Sequence, residues 1–199
     1  MTDTTGATGR EPRRQRVDAQ RNVGALLEAA KAVFDTSGVD APVKEIAQRA
    51  GVGVGTLYRH FPRRADLVKA VIESRIDALA ESAPELAATH APGAALERWL
   101  HRYTELLATK RGLATALHSG DPAYDGLPDY FFQRLEPAVG ALLDTAAAAG
   151  AVRGDVEATD LLWAIAHLCL PVSDDRASRR TQRMVGVFID GLRRDASPG

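Results

Sequence analysis

The sequence predicts an all-α fold of about nine helices, in which a small N-terminal helix-turn-helix domain precedes a larger helical body. Apolar residues recur at steps of three and four along most of the chain, as they do on one face of a helix. No stretch alternates as a half-buried strand does, and no internal repeat is apparent. The glycine-rich segment 51–55, GVGVG, separates two short helical runs, as the tight turn between steeply crossing helices requires.

Composition favours a cytoplasmic protein without a membrane partner. At 199 residues the chain can hold a small module and one larger core domain. No apolar run approaches the ~20 residues of a membrane span, and the polar N-terminus lacks an apolar signal core. The single cysteine, Cys169, suits a reducing compartment. Residues 1–75 carry 13 basic and 9 acidic side chains, whereas residues 76–199 carry 12 and 17, so nucleic acid is expected at the N-terminal end.

The N-terminal part divides into an arm and four helical segments. Residues 1–17 are predicted to be a disordered, arginine-rich arm, which either touches DNA or is only a solvating tail. Residues 18–64 are predicted to form the helix-turn-helix domain, starting with a helix over 18–36 that ends at Gly38. The fourth helix opens at Pro62 and is expected to link the domains, ending at about residue 82, before Pro84.

The short helix after the glycine-rich turn has the surface of a DNA-reading helix. On a wheel of about 100° per residue, an inward Leu57 leaves Gly55 and Arg59 pointing outward. Arg59 can donate to guanine, while polar neighbours on the same face can hold phosphates. The alternative is a solvated helix of an ordinary helical protein. The predicted DNA-contacting residues are Lys44, Val54, Gly55, Thr56, Tyr58, Arg59, His60 and Arg64.

Residues 43–71, VKEIAQRAGVGVGTLYRHFPRRADLVKAV, resemble the TetR family of transcriptional regulators, as does the preceding helix RNVGALLEAAKAVFDTSG. The resemblance covers about a third of the chain and implies that residues 65–199 form a helical domain that binds an effector and dimerises. It also implies a homodimeric repressor that releases a palindromic operator when a small molecule of unknown identity binds. Arg64 departs from the family, where many members carry Lys, but both cations can reach phosphate.

The body is predicted to be helical throughout, with a break at Lys110-Arg111-Gly112 and a loop over 120–128. Pro137 is expected to kink a helix or to mark its early turns, and Asp155 is expected to cap the next helix. The predicted helices cover residues 92–109, 113–118, 129–149, 155–170 and 175–193.

Neither a catalytic residue nor a metal or cofactor site is predicted. GVGVG lies between two helices, so it is not a dinucleotide-binding loop, and HExxH and paired-cysteine motifs are absent from the sequence. His167 and Cys169 are two positions apart on a helix, which favours packing over a shared metal. His101 and His118 either line a pocket or face solvent.

Two groups in the body are candidates for binding and assembly. Aromatic side chains either line an effector cavity or fill the core; they are Trp99, Tyr103, Phe131, Phe132 and Trp163. The wide apolar faces of the last two helices predict a dimer seam, although burial inside one subunit gives the same pattern; its candidates are Trp163, His167, Val185 and Phe188. The alternative function is a helical ligand-carrier or enzyme with a vestigial DNA-binding module.

Overall fold

The computed structural model describes residues 11–117, 120–169 and 175–193, with side chains for 21–107, 120–169 and 179–193. Its α-helices are α1 (Glu11–Ser37), α2 (Val43–Arg49), α3 (Val54–His60), α4 (Arg64–Thr89), α5 (Pro92–Leu117), α6 (Leu127–Ala148), α7 (Ala158–Leu168) and α8 (Asp175–Asp190). A 3-10 helix, Pro122–Tyr124, lies in the predicted loop. The all-α prediction is confirmed: within the described residues the only β-type pairing is an isolated bridge between Val152 and Arg193.

The chain divides into two compact units, Met1–Val71 and Ile72–Gly199. In the N-terminal unit, α1 and α3 both pack against α2, and α4 contributes its first two turns. The core is made by apolar positions at helical spacing, and its members include Leu26, Ala30, Val33, Ile46, Leu57 and Leu67. Gly38 ends the α1 region at φ 78°, a conformation that favours glycine.

In the C-terminal unit, α5 packs against α6 and α7, and α7 packs against α6 and α8. The loop between α6 and α7 is tied to the end of α8, since Arg153 N–H donates to the Leu192 carbonyl at 2.8 Å. Buried residues on facing helices form the core and include Leu96, Trp99, Leu100, Tyr103, Leu135, Val139, Leu161 and Ile165. No helix in the described ranges is long and apolar enough to cross a membrane.

Three predicted helix boundaries were wrong: the start of α1, the end of α4 and the break within α5. In each case the sequence signal for a helix end was weaker than the tendency of the helix to continue. Helix α1 begins at Glu11 and not at 18, since residues 11–23 are glycine-free and Pro12 is tolerated in a first turn. Helix α4 continues through Pro84 to Thr89, and the burial of Ala83 and Leu86 beyond the usual stop explains why.

Helix α5 is not broken at Gly112, because one interior glycine costs only about 1 kcal/mol while a break would leave several backbone groups unpaired. The predicted cap at Asp155 was also wrong. Helix α7 starts at Ala158 with Glu157 as its N-cap, and Asp155 instead pairs with Arg153 at 2.6 Å.

Candidate nucleic-acid interface and aromatic row

The turn between α2 and α3 is a Schellman motif. Gly51 N–H donates to the Gln48 carbonyl at 3.2 Å, and Val52 N–H donates to the Ala47 carbonyl at 3.0 Å. Gly51 has φ 70°, which residues with a Cβ rarely adopt. Gly53 then serves as the N-cap of α3. The glycines of GVGVG therefore reverse the chain tightly enough to present α3 at the surface.

Helix α3 separates into an inner and an outer face, as the wheel predicts. Leu57 is 1 % exposed and Phe61, just past the helix, is 8 % exposed. Tyr58 is 47 % exposed, Arg59 and Gly55 are exposed, and a Cβ at Gly55 would have open space around it. Thr56, His60 and Val54 are partly exposed, and Lys44 is exposed near the start of α2. The outer face of α3 carries no acidic side chain, so it suits an anionic partner.

Arg64 differs from the other predicted contacts because it is turned inward. Its Nε donates to the Val39 carbonyl at 2.6 Å, and its Nη2 reaches the carbonyls of Val39 and Ala41. The guanidinium thus satisfies backbone acceptors in the segment between α1 and α2. This contact holds that segment against the start of α4, whereas the sequence predicts a phosphate contact for Arg64.

Arg63, the neighbouring cation, is at the surface and pairs with Asp66 in the first turn of α4. Its backbone N–H donates to Asp66 Oδ2 at 3.0 Å, and its Nη2 lies 2.6 Å from Asp66 Oδ1. This hydrogen bond from the Arg63 side chain holds the pKa of the Asp66 carboxyl below its ordinary value. The carboxylate therefore stays ionised at the positive end of α4.

The C-terminal unit brings all five predicted pocket residues into one row of ring contacts. The row crosses from α5 to α6 to α7, with ring centroids 5.1–5.9 Å apart at each step. The members in order are Trp99, Tyr103, Phe131, Phe132, Trp163 and His167. We call this set the aromatic row. Trp99 and Tyr103 at one end are fully buried, whereas Trp163 is 49 % exposed, so the row leads from the core to the surface.

The inner end of the aromatic row is fixed by two hydrogen bonds. Trp99 Nε1 donates to the Leu79 carbonyl of α4 at 3.0 Å, and Tyr103 OH donates to the Leu162 carbonyl of α7 at 3.0 Å. Burial raises the pKa of the Tyr103 phenol well above its ordinary value, so it remains a donor. Trp99 and Tyr103 are core residues in this structure, each at 0 % exposure.

The predicted seam residues fall into two groups. Trp163 and His167 are exposed and Phe188 is partly exposed, but Val185 is only 3 % exposed and lies in the core of the C-terminal unit. Met184 and Val187 were not among the predicted seam residues, and they are 46 % and 64 % exposed. Apolar residues occupy two faces of α8, and the face that carries Val185 and Ile189 is the buried one.

Comparison with known families agrees with this architecture. Residues 26–71 match the family described as "Bacterial regulatory proteins, tetR family". Residues 91–194 match the domain described as "Transcriptional regulator SbtR-like, C-terminal domain". The chain belongs to the TetR family. The resemblance inferred from residues 43–71 is thereby confirmed, and the family's members are DNA-binding transcriptional regulators.

Solved TetR structures resemble most of the chain. A TetR regulator from Streptomyces coelicolor is 36 % identical, with a TM-score of 0.73 over 87 % of this chain and 99 % of that one. The TetR protein from Mycobacterium vanbaalenii is 36 % identical, with a TM-score of 0.68 over 90 % and 99 %. An HTH-type transcriptional regulator of Staphylococcus aureus is 41 % identical over 63 residues, which span 31 % of this chain and 34 % of that protein.

Proposed function

We propose that this TetR chain is a sequence-specific repressor that works in the cytoplasm as a homodimer and leaves its palindromic operator when a small molecule binds the C-terminal unit. The observation that carries the proposal is the exposed, acid-free face of α3 behind a glycine-rich turn. A helix of this kind can enter the major groove of DNA.

On this proposal some residues of α3 contact bases and others contact phosphates. Arg59 reads a base, and the open space at Gly55, one turn earlier, lets the helix approach the groove closely. Tyr58, Thr56 and His60 hold phosphates on either side, and Lys44 reaches a phosphate or a base from α2. Arg64 acts indirectly by positioning the segment before α2.

The proposed dimer seam is the apolar surface of α7 and α8. Exposed apolar side chains on two neighbouring helices are costly in a monomer and are typical of subunit interfaces. The surface consists of Trp163, Met184, Val187 and the exposed part of Phe188, with His167 at the end of the aromatic row. Pairing would let two copies of α3 reach half-sites about one DNA turn, ~34 Å, apart.

The proposed switch uses the aromatic row and α4. Trp99 joins the row to the Leu79 carbonyl, and Asp77 on the same helix accepts from Tyr130 OH and Arg134 Nε, each at 2.7 Å. Because α4 also supplies the first turns that belong to the N-terminal unit, a ligand that shifts the row biases α4 as well. An aromatic or apolar effector fits the chemistry of the row.

The direct test of DNA recognition is selection of binding sites from a random duplex pool by the full chain. The proposal predicts an enriched inverted repeat, bound far more tightly than a scrambled duplex and with strong salt dependence. A helical carrier or enzyme with a vestigial module has no reason to enrich any site. Failure to enrich a sequence would therefore favour that alternative.

The switch has a separate test. Tryptophan fluorescence of the full chain is titrated with a panel of small aromatic and apolar compounds, with and without the selected duplex. By linkage, an effector that weakens DNA binding must itself bind less tightly in the presence of DNA, by the same factor. A compound that binds the C-terminal unit equally in both conditions is not the effector, and such a result would leave the DNA-binding role intact.

A further inference from the structure

A cavity of about 250 Å³ lies in the C-terminal unit, away from the aromatic row. It opens where the first turns of α5 meet residues 151–152 and the end of α8. Its walls are apolar, and five of the side chains that line it are at most 5 % exposed: Leu96, Leu100, Val152, Ile189 and Leu192. Such walls suit the apolar part of a small ligand.

Two charged side chains line this cavity, Glu97 and Arg193, and they form an ion pair. Arg193 Nη2 lies 3.0 Å from Glu97 Oε2, and Arg193 Nη1 lies 3.4 Å from Asp190 Oδ1. The other oxygen of Glu97, Oε1, is 4.0 Å from His101 Nε2. Glu97 and Asp190 thus place two carboxylates around the single guanidinium of Arg193, so these three side chains together carry a net charge of −1.

We propose that the cavity binds a small organic cation, with its hydrocarbon body against the apolar walls and its ammonium group on Glu97 Oε1. An ammonium has three donors and neutralises the excess negative charge. A carboxylate ligand is disfavoured, because it would have to displace Glu97 from Arg193 while lying close to Asp190. The proposal does not depend on DNA binding, since it concerns direct binding to the C-terminal unit.

The experiment is isothermal titration calorimetry of the full chain with three ligands of one shape: n-hexylammonium, hexanoate and 1-hexanol. The cation is expected to bind several-fold more tightly than the other two. Glu97→Gln should weaken its binding by roughly threefold to tenfold, since a partly exposed charge-assisted contact is lost. Arg193→Gln should strengthen it, because the competing cation is removed.

Two further variants locate the site. Glu105→Gln is the matched control, because Glu105 is also an exposed acid of α5 but does not line the cavity. This variant should bind hexylammonium with the same affinity as the wild type. Ala94→Leu adds bulk to the lining and should weaken all three ligands. Circular dichroism confirms that each variant is folded.

Several results would overturn the proposal. They are the absence of saturable hexylammonium binding, hexanoate or hexanol binding as tightly as hexylammonium, and equal hexylammonium affinities for Glu97→Gln and Glu105→Gln. Weaker hexylammonium binding by both Glu97→Gln and Arg193→Gln would also overturn it, since the ion pair would then be only structural. If Glu97→Gln fails to fold, the direction of the Arg193→Gln change decides.

Discussion

The indole Nε1 of Trp99 lies 3.0 Å from the carbonyl oxygen of Leu79 and donates a hydrogen bond to it. Ser82 Oγ donates to the same carbonyl at 2.8 Å. Trp99 is the buried end of the aromatic row, and Leu79 lies in α4, the helix that also contributes to the N-terminal unit. The buried end of the aromatic row is therefore hydrogen-bonded directly to the backbone of α4.

Replacing this indole should be costly. We expect Trp99→Phe to lower the free energy of unfolding by about 2–3 kcal/mol, through the lost donor and the space left in the core. Trp163→Phe, at a 49 % exposed position, should change it by less than about 0.5 kcal/mol. Urea denaturation followed by circular dichroism measures both. If both variants lose the same free energy of unfolding, the hydrogen bond from Trp99 to the Leu79 carbonyl contributes little to stability.

Arg64 offers a comparison between an internal and a surface arginine. Arg64→Ala leaves the Val39 and Ala41 carbonyls without this partner, so the free energy of unfolding should fall by about 1–3 kcal/mol. Arg63→Ala removes a solvent-screened pair with Asp66, so the free energy of unfolding should fall clearly less than in Arg64→Ala. If Arg64 contacts phosphate instead, Arg64→Ala will leave stability unchanged and lower the salt slope of DNA binding by about one.

The phenol of Tyr130 should lose its proton at a higher pH than an ordinary tyrosine does. Burial, with its hydrogen bond to the Asp77 carboxylate, raises the pKa of Tyr130 from 10.0 to about 12. Because the folded-state pKa is the higher one, the neutral phenol stabilises the fold below pH 10.0, and this contribution is lost as the pH rises through about 12. The ultraviolet absorbance of tyrosinate, with Tyr130→Phe subtracted, should show this step in the folded protein.

The same titration contains its own control. Asp77→Asn removes the charged acceptor and should move the Tyr130 step to lower pH, without restoring the ordinary value, because burial is the larger cause. A Tyr130 step that stays in place in Asp77→Asn would mean that the carboxylate has no part in the shift.

The proposed seam can be tested at Val187, which is 64 % exposed on α8. Val187→Glu places a charge in the apolar surface and should raise the dimer dissociation constant by roughly tenfold or more. Gln182→Glu adds the same charge at an exposed position of the same helix and should leave the constant near that of the wild type. Analytical ultracentrifugation gives both values. If both variants raise the dimer dissociation constant equally, the added net charge is the cause and Val187 does not lie in the seam.

Local sequence pattern was sufficient to predict the two faces of α3. The wheel centred on Leu57 anticipated which side chains of α3 are buried and which are exposed, because a helical period decides that without knowledge of distant contacts. The inward turn of Arg64 could not be predicted. Its acceptors lie 23 and 25 positions earlier in the chain, and a cation in a basic pair gives no sign of such a partner.

In the C-terminal unit the sequence identified the aromatic residues but not their depth. Spacing alone cannot tell that Trp99 is buried while Trp163 is half exposed, since that depends on how three helices pack. For the same reason Val185 was placed on the proposed seam although α8 turns it into the core. The cavity beside Glu97 was not foreseen, because it is formed by segments far apart in the chain.

The central claim is that α3 reads DNA sequence through Arg59. The most direct measurement is fluorescence anisotropy of the full chain on the selected duplex and on every single base-pair variant of one half-site, comparing wild type, Arg59→Ala and Tyr58→Phe. Arg59→Ala should lose about 1–3 kcal/mol on the selected site and become indifferent at one base position per half-site. Tyr58→Phe should weaken all duplexes without changing their ranking. Full affinity and an unchanged ranking for Arg59→Ala would contradict the account.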